Sequence, residues 1–403
     1  MHYRCAGTEI TILMTEGHSL KHSNFKPIWL RWLLVLVTIL GQSATVRPNM
    51  APAKQPKYRI VGYVFRPSNI HSIAAEKLTH INYAFALVST DGEVVLNNPD
   101  SPANLSQLQA LKAKNPSLKI IVSVGGWGAD NFSDAALTDT SRDKFAKSVT
   151  ALIKRYALDG IDLDWEYPGQ PGPGIKYRPE DKENFTSLLR ILREQLDALS
   201  DERGRSGPDR YSLTIASAAG DYFTHTEMDK LHVYLDWINI MAYDFYTSSA
   251  KTTGHHTGLY RSLSAGNSDA YSEASVLQHL AAGIPANKLV MGVAFYGRSF
   301  SGVHPENNGL YQPYDRYAGQ YSYSVLNRDL INKQGFKRFW DDAAKAPYLW
   351  NAGSATFITY DDPASLKAKA EFVKAHHLGG IMYWENSHDL DGLLLSTIFE
   401  SLR

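Results

Sequence analysis

Residues 159–168 read Asp-Gly-Ile-Asp-Leu-Asp-Trp-Glu-Tyr-Pro. Ile161, Leu163 and Trp165 alternate with Asp162, Asp164 and Glu166, and a period of two is that of a β-strand, whose successive side chains point to opposite faces. One face is apolar and the other carries three carboxylates. Such an acidic face is costly to bury, because like charges a few ångström apart cannot all ionise cheaply. At least one of the three is therefore expected to hold its proton near neutral pH, the condition for an acid catalyst. A calcium loop accounts poorly for the stretch, since the glycine-containing twelve-residue loop is missing and apolar residues interleave the acids.

Runs of similar length lie on both sides. Ile60–Phe65, His80–Ala86, Leu118–Val124, Gly160–Glu166, Tyr211–Ser217, Trp237–Tyr243, Leu289–Phe295 and Gly380–Trp384 make eight strand candidates. Amphipathic segments fall between them, such as Ser141–Tyr156 and Arg178–Leu199, the latter with Phe185, Leu188, Leu189 and Leu192 at helical spacing. Strands alternating with helices imply a parallel sheet. Eight units in this length close most economically as an α/β (β/α)8 TIM barrel, with the active site at the C-terminal ends of the strands. An open doubly wound sheet is the alternative, but no GxGxxG or GxxxxGK follows an early strand. The regular spacing breaks after the seventh strand. The stretch from about 299 to 355, rich in Tyr, Asn and Gly and with a helix expected over Ser324–Gln334, is read as a small α+β insertion on the barrel rim.

The 403 residues carry 41 Lys plus Arg and 41 Asp plus Glu, a formal net charge of +0. No basic run supplies the footprint that nucleic-acid binding requires, so that partner is excluded. One cysteine, Cys5, can form neither an intramolecular disulfide nor a cysteine metal cluster. Lys21, Lys26 and Arg31 precede an uncharged run, Trp32–Leu40, followed by the small residues Gly41, Ser43 and Ala44. This is the layout of a secretory signal over 1–44 with cleavage near Ala44; the run is short for the roughly 20 residues that span a bilayer, and retention as an anchor is the alternative. Residues 45–57 hold three prolines and no apolar periodicity, as expected of a linker. The catalytic domain is expected over 58–403, with no membrane contact in the mature form.

The motif Asp159–Glu166 resembles the DGxDxDxE signature of glycoside hydrolase family 18, the chitinases. Ser123-Val124-Gly125-Gly126-Trp127 is similar to the family's SxGG, Met241-Ala242-Tyr243-Asp244 to its MxYD, Tyr296-Gly297-Arg298 to its YGR, and Trp384-Glu385 to its eighth-strand end. The likeness runs from about Tyr58 to the C-terminus, and the insertion resembles that of deep-cleft bacterial chitinases. The resemblance implies a secreted, retaining chitinase without cofactor or metal, acting as a monomer on chitin or chitooligosaccharides. It further implies Glu166 as acid and base, Asp164 as the residue that orients the substrate's acetamido group, and Asp162 as its proton-sharing partner. Tyr243 is then the donor to the acetamido oxygen, with Met241 and Asp244 lining the same pocket. Tyr63 and Ser123 are expected beneath the carboxylates, bonded to Asp162. Trp384 is expected as the floor under the distorted sugar, Tyr296 and Arg298 either on neighbouring sugars or holding Asp244, and Phe85, Gly126 and Trp127 among the substrate-binding residues. An endo-β-N-acetylglucosaminidase acting on N-glycans or wall glycan, or a chitin-binding lectin, stays as the alternative. The segment Phe245–Ser249 lacks the tryptophan that the family often places there.

Two sets of residues are read without the family. Trp237 starts its strand and is expected in the core, whereas Trp127 follows a strand end and is expected to project; Trp340 and Trp350 stay undecided. The neighbouring pairs His255-His256 and His376-His377 have no metal-ligand spacing, so a surface or substrate-contact role is expected of them.

Overall fold

The computed structural model describes residues 57–67, 69–266 and 270–403. The expected signal over 1–44, with Cys5, and all of the expected linker but Lys57 lie outside the described residues.

In chain order the strands are β1 (Arg59–Phe65), β2 (His80–Val88), β3 (Val94–Val95), β4 (Lys119–Gly125), β5 (Gly160–Asp164), β6 (Ser212–Ser217), β7 (Trp237–Ile240), β8 (Leu289–Ala294), β9 (Tyr296–Ser301), β10 (Arg316–Ser322), β11 (Lys337–Asp341), β12 (Ala346–Asn351), β13 (Thr356–Tyr360) and β14 (Gly380–Trp384). Eight of them, β1, β2, β4 to β8 and β14, run parallel, and β1 pairs with β14 on one side and β2 on the other. That last ladder closes the sheet. The fold is the (β/α)8 barrel read from the alternation of patterns, and closure leaves no unpaired edge of the kind an open doubly wound sheet would keep.

Local sequence explains the helices that cover it. Thr138 accepts from the Ser141 amide and Ser141 bonds back, a capping box that starts the helix Asp139–Tyr156. Asp362 does the same with Ser365 for Pro363–Ala375, where Pro363 sits at the first helical position and loses no bond. The crossovers are unequal. Between β1 and β2 there are two short 3-10 turns, Ile70–Ser72 and Ala75–Lys77, and between β6 and β7 the α-helix is a single turn, Met228–Leu231.

On β5 the alternation sorts the two faces as the pattern requires. Trp165, just past the strand, packs outward, stacked on Phe132 at 5.3 Å and edge-on to Phe185 at 5.4 Å under the helices. Asp162 and Asp164 are directed to the other side. β5 and β7 end well before their patterns suggest. β5 stops at Asp164, whose carbonyl takes the Gly126 amide, and Glu166 follows on the loop. β7 stops at Ile240, because the Ala242 amide bonds the Ile240 carbonyl two residues back and turns the chain sharply.

After β8 the chain builds a second sheet, five antiparallel strands in the order β10-β9-β13-β12-β11. It is broader than the stretch expected from composition, running from Tyr296 to Tyr360, since β9 follows β8 after Phe295 and pairs with β13 at its centre. Phe300, Leu310, Tyr348, Trp350 and Phe357 form its core. The helix expected over Ser324–Gln334 is shorter. Tyr323–Val325 runs into one wide turn, Leu326–Leu330, and left-handed backbone at Asn332, Gln334 and Gly335 ends it. Among the described residues no helix is long and apolar enough to cross a membrane.

Candidate active site

A cleft of about 1440 Å³ opens at the C-terminal ends of the barrel strands. It brings together Tyr63, Phe85, Gly126, Trp127, Asp164, Glu166, Met241, Tyr243, Asp244, Tyr296, Arg298 and Trp384. The other two residues singled out from sequence, Ser123 and Asp162, lie in the barrel layer below.

Asp162 is fully buried and has four donors from four other strands. Tyr63 on β1 and Ser123 on β4 bond one carboxylate oxygen, each at 2.7 Å; Thr214 on β6 at 2.5 Å and Asn239 on β7 at 3.2 Å bond the other. Burial pushes its pKa up and these bonds pull against it, with a net rise. Asp164, one step nearer the mouth, is pushed well above the carboxylate range by burial and then by the charges of Glu166 and Asp162. Its Oδ1 is buried and has no partner among the described residues. Four donors favour the ionised form of Asp162 while none reaches Asp164 Oδ1, so a proton shared by the pair is favoured on Asp164. Glu166 is raised to about 7, mainly by burial, with the Asp244 charge adding to it and a bond to Tyr167 opposing it. The carboxyl group nearest the solvent is thus poised to gain and lose a proton near neutrality.

The remaining carboxylate of the cleft is already engaged. Asp244, in left-handed backbone at φ 62°, accepts from Tyr296 Oη at 2.7 Å and Arg298 Nε at 2.8 Å, while a terminal guanidinium nitrogen of Arg298 bonds its second oxygen. Tyr296 and Arg298 are two apart on β9, so both reach the same side. Of the two roles open to them from sequence, the structure has both holding Asp244. Burial works against ionisation here, but the bonds from Arg298 and the His256 ring 3.5 Å away outweigh it and hold the Asp244 carboxyl far below its usual range. Beside it, the Tyr243 hydroxyl makes a weak bond to Met382 Sδ at 3.8 Å, which a better acceptor would displace.

Aromatic rings floor the cleft. Trp384 stacks with Phe85 at 5.7 Å and 20° and lies 5.7 Å from both Tyr63 and Phe65. Trp127 is 67% exposed, edge-on to Tyr167. The two glycines before it leave no room for a side chain: a Cβ on Gly125 would lie 2.1 Å from the Asp164 carbonyl oxygen and one on Gly126 would lie 2.6 Å from the Phe85 ring, both at positive φ.

Residues 59–389 match the profile of Glycosyl hydrolases family 18. The chain belongs to this family. Chitinase A1 of Niallia circulans is 38% identical over 92% of this chain, and the chain spans 62% of that protein's length. Chitinase B of Serratia marcescens is 33% identical over 81% of this chain and 76% of its own. The solved family 18 N-acetylglucosaminidase of Paenibacillus barengoltzii superposes with a TM-score of 0.79 at 40% identity, covering 85% of this chain and 99% of that one.

Several residues of this family 18 site had no signal in the motifs. Thr214 and Asn239 complete the cradle of Asp162; polar residues at inward-facing positions of two strands were the available hint. Tyr167 and Tyr222 stand edge-on at 6.0 Å behind Glu166. One of the two histidine pairs differs from expectation. His255 and His256 are buried, not on the surface, because the loop carrying them is packed under the insertion: His255 Nε2 lies 3.2 Å from Asp341, and His256 Nδ1 lies 3.5 Å from Asp244. His376 rests on Phe372 of its own helix, and His377, in left-handed backbone, is exposed. Trp237 is buried inside the barrel; Trp350 is buried in the insertion, and Trp340 is half-buried with its Nε1 on Asp342.

Proposed function

We propose that this chain is an exported chitinase, acting as a monomer, that hydrolyses β-1,4 bonds between N-acetylglucosamine units with retention of configuration. One observation carries the reading. Of the three acidic side chains lining the described cleft, Asp164 is deep with its pKa pushed well above the carboxylate range and Asp244 is tied to Arg298 and Tyr296, so Glu166 is the one placed to trade a proton. Among the described residues no spare carboxylate lines the cleft as a nucleophile. Retaining glycosidases with two carboxylates need one, and family 18 is an exception in which the substrate's own acetamido group attacks.

In this mechanism Glu166 protonates the glycosidic oxygen as the C1–O bond breaks and the acetamido oxygen closes on C1. Asp164 accepts the acetamido N–H and offsets the positive charge of the oxazolinium ring, while its proton moves toward Asp162. Tyr243 donates to the acetamido oxygen before ring closure. Water, deprotonated by Glu166, then opens the ring from the face the leaving group occupied, and two displacements at C1 restore the starting configuration. Trp384 carries the distorted sugar on its apolar face, and Trp127 offers a platform on the rim.

Chromatography of the products from chitohexaose and from its fully deacetylated counterpart tests this directly. The acetylated hexamer is expected to disappear into mainly dimer and the deacetylated one to stay intact, since it lacks the internal nucleophile; cleavage of both at similar rates would overturn the mechanism. A second reading, N-acetylglucosaminidase action releasing monomers, is favoured by the likeness to the Paenibacillus barengoltzii enzyme, and the same chromatogram separates the two. The rate has its own pH signature. Glu166 must be protonated for the first step, so kcat/KM is expected to fall as pH rises through about 7. A profile flat from pH 5 to 9 contradicts the role given to Glu166.

A further inference from the structure

His256 is fully buried, and none of the steps above uses it. Its surroundings are specific. The backbone amide of His256 donates to Thr359 Oγ1 on β13 at 3.0 Å, and its carbonyl accepts from the amide of Phe245, a cleft-lining residue, at 3.1 Å. Its ring lies 5.3 Å from that of Tyr296, and Nδ1 is 3.5 Å from Asp244 Oδ1. Neither ring nitrogen makes a well-formed hydrogen bond among the described residues, and Nδ1 is the one that faces an acceptor. One residue therefore touches the insertion sheet, the backbone after Asp244 and the Asp244 carboxylate together. The charged groups facing it are Asp244, Arg298 and, more distantly, Asp361, whose own partner is Lys369 at 2.6 Å. A phenyl ring would fill this space without an orphaned buried nitrogen. A donor on the Nδ1 side is the property that phenylalanine lacks.

Resting on the hydrolase reading above, we propose that His256 is a positioning residue: a neutral imidazole with its proton on Nδ1 that holds Asp244 and ties the loop bearing Tyr243 and Asp244 to the insertion sheet. Burial keeps the ring neutral, holding its pKa below the usual range against the pull of Asp244. Its loss lets Asp244 shift relative to Glu166 and the acetamido pocket. Misplacement of a reacting group by about 1 Å is enough to cost on the order of 100-fold in rate.

Two substitutions separate this role from packing. Phenylalanine keeps the ring volume and removes the donor; asparagine loses volume but sets an amide nitrogen at about the place of Nδ1. His256→Phe is expected to lower kcat about 10- to 100-fold with KM within about twofold, and His256→Asn to recover most of the loss. Packing alone demands the reverse order. Phe at wild-type kcat, or equal losses in both variants, overturns the proposal. Thr359→Val, which cuts the tie to β13 without touching the ring, is expected to lower kcat in the same direction and decides the matter if His256→Phe does not fold; an unchanged kcat there counts against the tie. Nitrogen-15 NMR of histidine-labelled protein reads the ring independently of turnover. A proton on Nδ1 of His256 supports the proposal and one on Nε2 alone overturns it, whereas a wild type that turns over no oligosaccharide overturns the hydrolase reading instead.

Discussion

Glu166→Gln is expected to lower turnover of chitin oligomers by about 10²- to 10⁴-fold, the usual worth of a positioned general acid. The amide keeps the shape and polarity of the side chain but has no proton to give to the leaving oxygen and cannot take one from water. Binding of the intact oligomer, measured by calorimetry, is expected to stay near the wild-type value, because the aromatic floor and the Asp244 cluster are untouched. Stability adds a sign that can be checked. A carboxyl group whose folded pKa is raised contributes stability below its unfolded pKa of about 4.5 and loses it as pH rises through the folded value of about 7. The Gln variant has no such group, so its melting temperature relative to wild type is expected to rise as pH increases from 5 to 8. A Gln variant that still cleaves at more than a tenth of the wild-type rate means that the acid is another residue.

Asp164→Asn is expected to cost about 10²- to 10³-fold in kcat, as removal of a preorganised partner of transition-state charge does elsewhere. Asparagine can still meet the acetamido group, but it can neither ionise nor pass a proton to Asp162. The loss is therefore expected in kcat more than in KM. The shape of the pH profile distinguishes this variant from the first. The rise of Glu166 comes chiefly from burial and then from the Asp244 charge, so the alkaline limb is expected to stay near pH 7 in Asp164→Asn while the plateau falls. A limb that moves by more than about one unit places the control of Glu166 on Asp164 instead. Activity within tenfold of wild type removes Asp164 from the mechanism.

The fate of individual residues shows why part of the site was legible in sequence. The alternation over 161–166 is a local property of extended backbone, so it revealed that Asp162 and Asp164 share a face and that Trp165 packs away from them. Strand ends were less legible. β5 and β7 stop where the chain turns toward the cleft, and neither Trp165 nor Met241 differs in composition from a strand residue. Tyr296 and Arg298 had two possible targets until β9 was seen to run beside Asp244.

What the sequence by itself determined about this protein is the order of its elements and the chemistry each strand end brings: acids on β5, glycines after β4, a tyrosine and an aspartate after β7, a tryptophan at the end of β14. Those are short-range facts, set by periodicity and side-chain type. The tertiary structure alone decided which of them meet. Asp162 draws Tyr63, Ser123, Thr214 and Asn239 from positions up to 176 residues apart, because closure of the β1–β2 ladder turns the inward faces of separate strands toward one axis. Only in that enclosure do burial and neighbouring charge lift Asp164 and Glu166 while Arg298 holds Asp244 ionised, and His256, one polar residue of a loop when read along the chain, comes to rest against both the insertion sheet and the site.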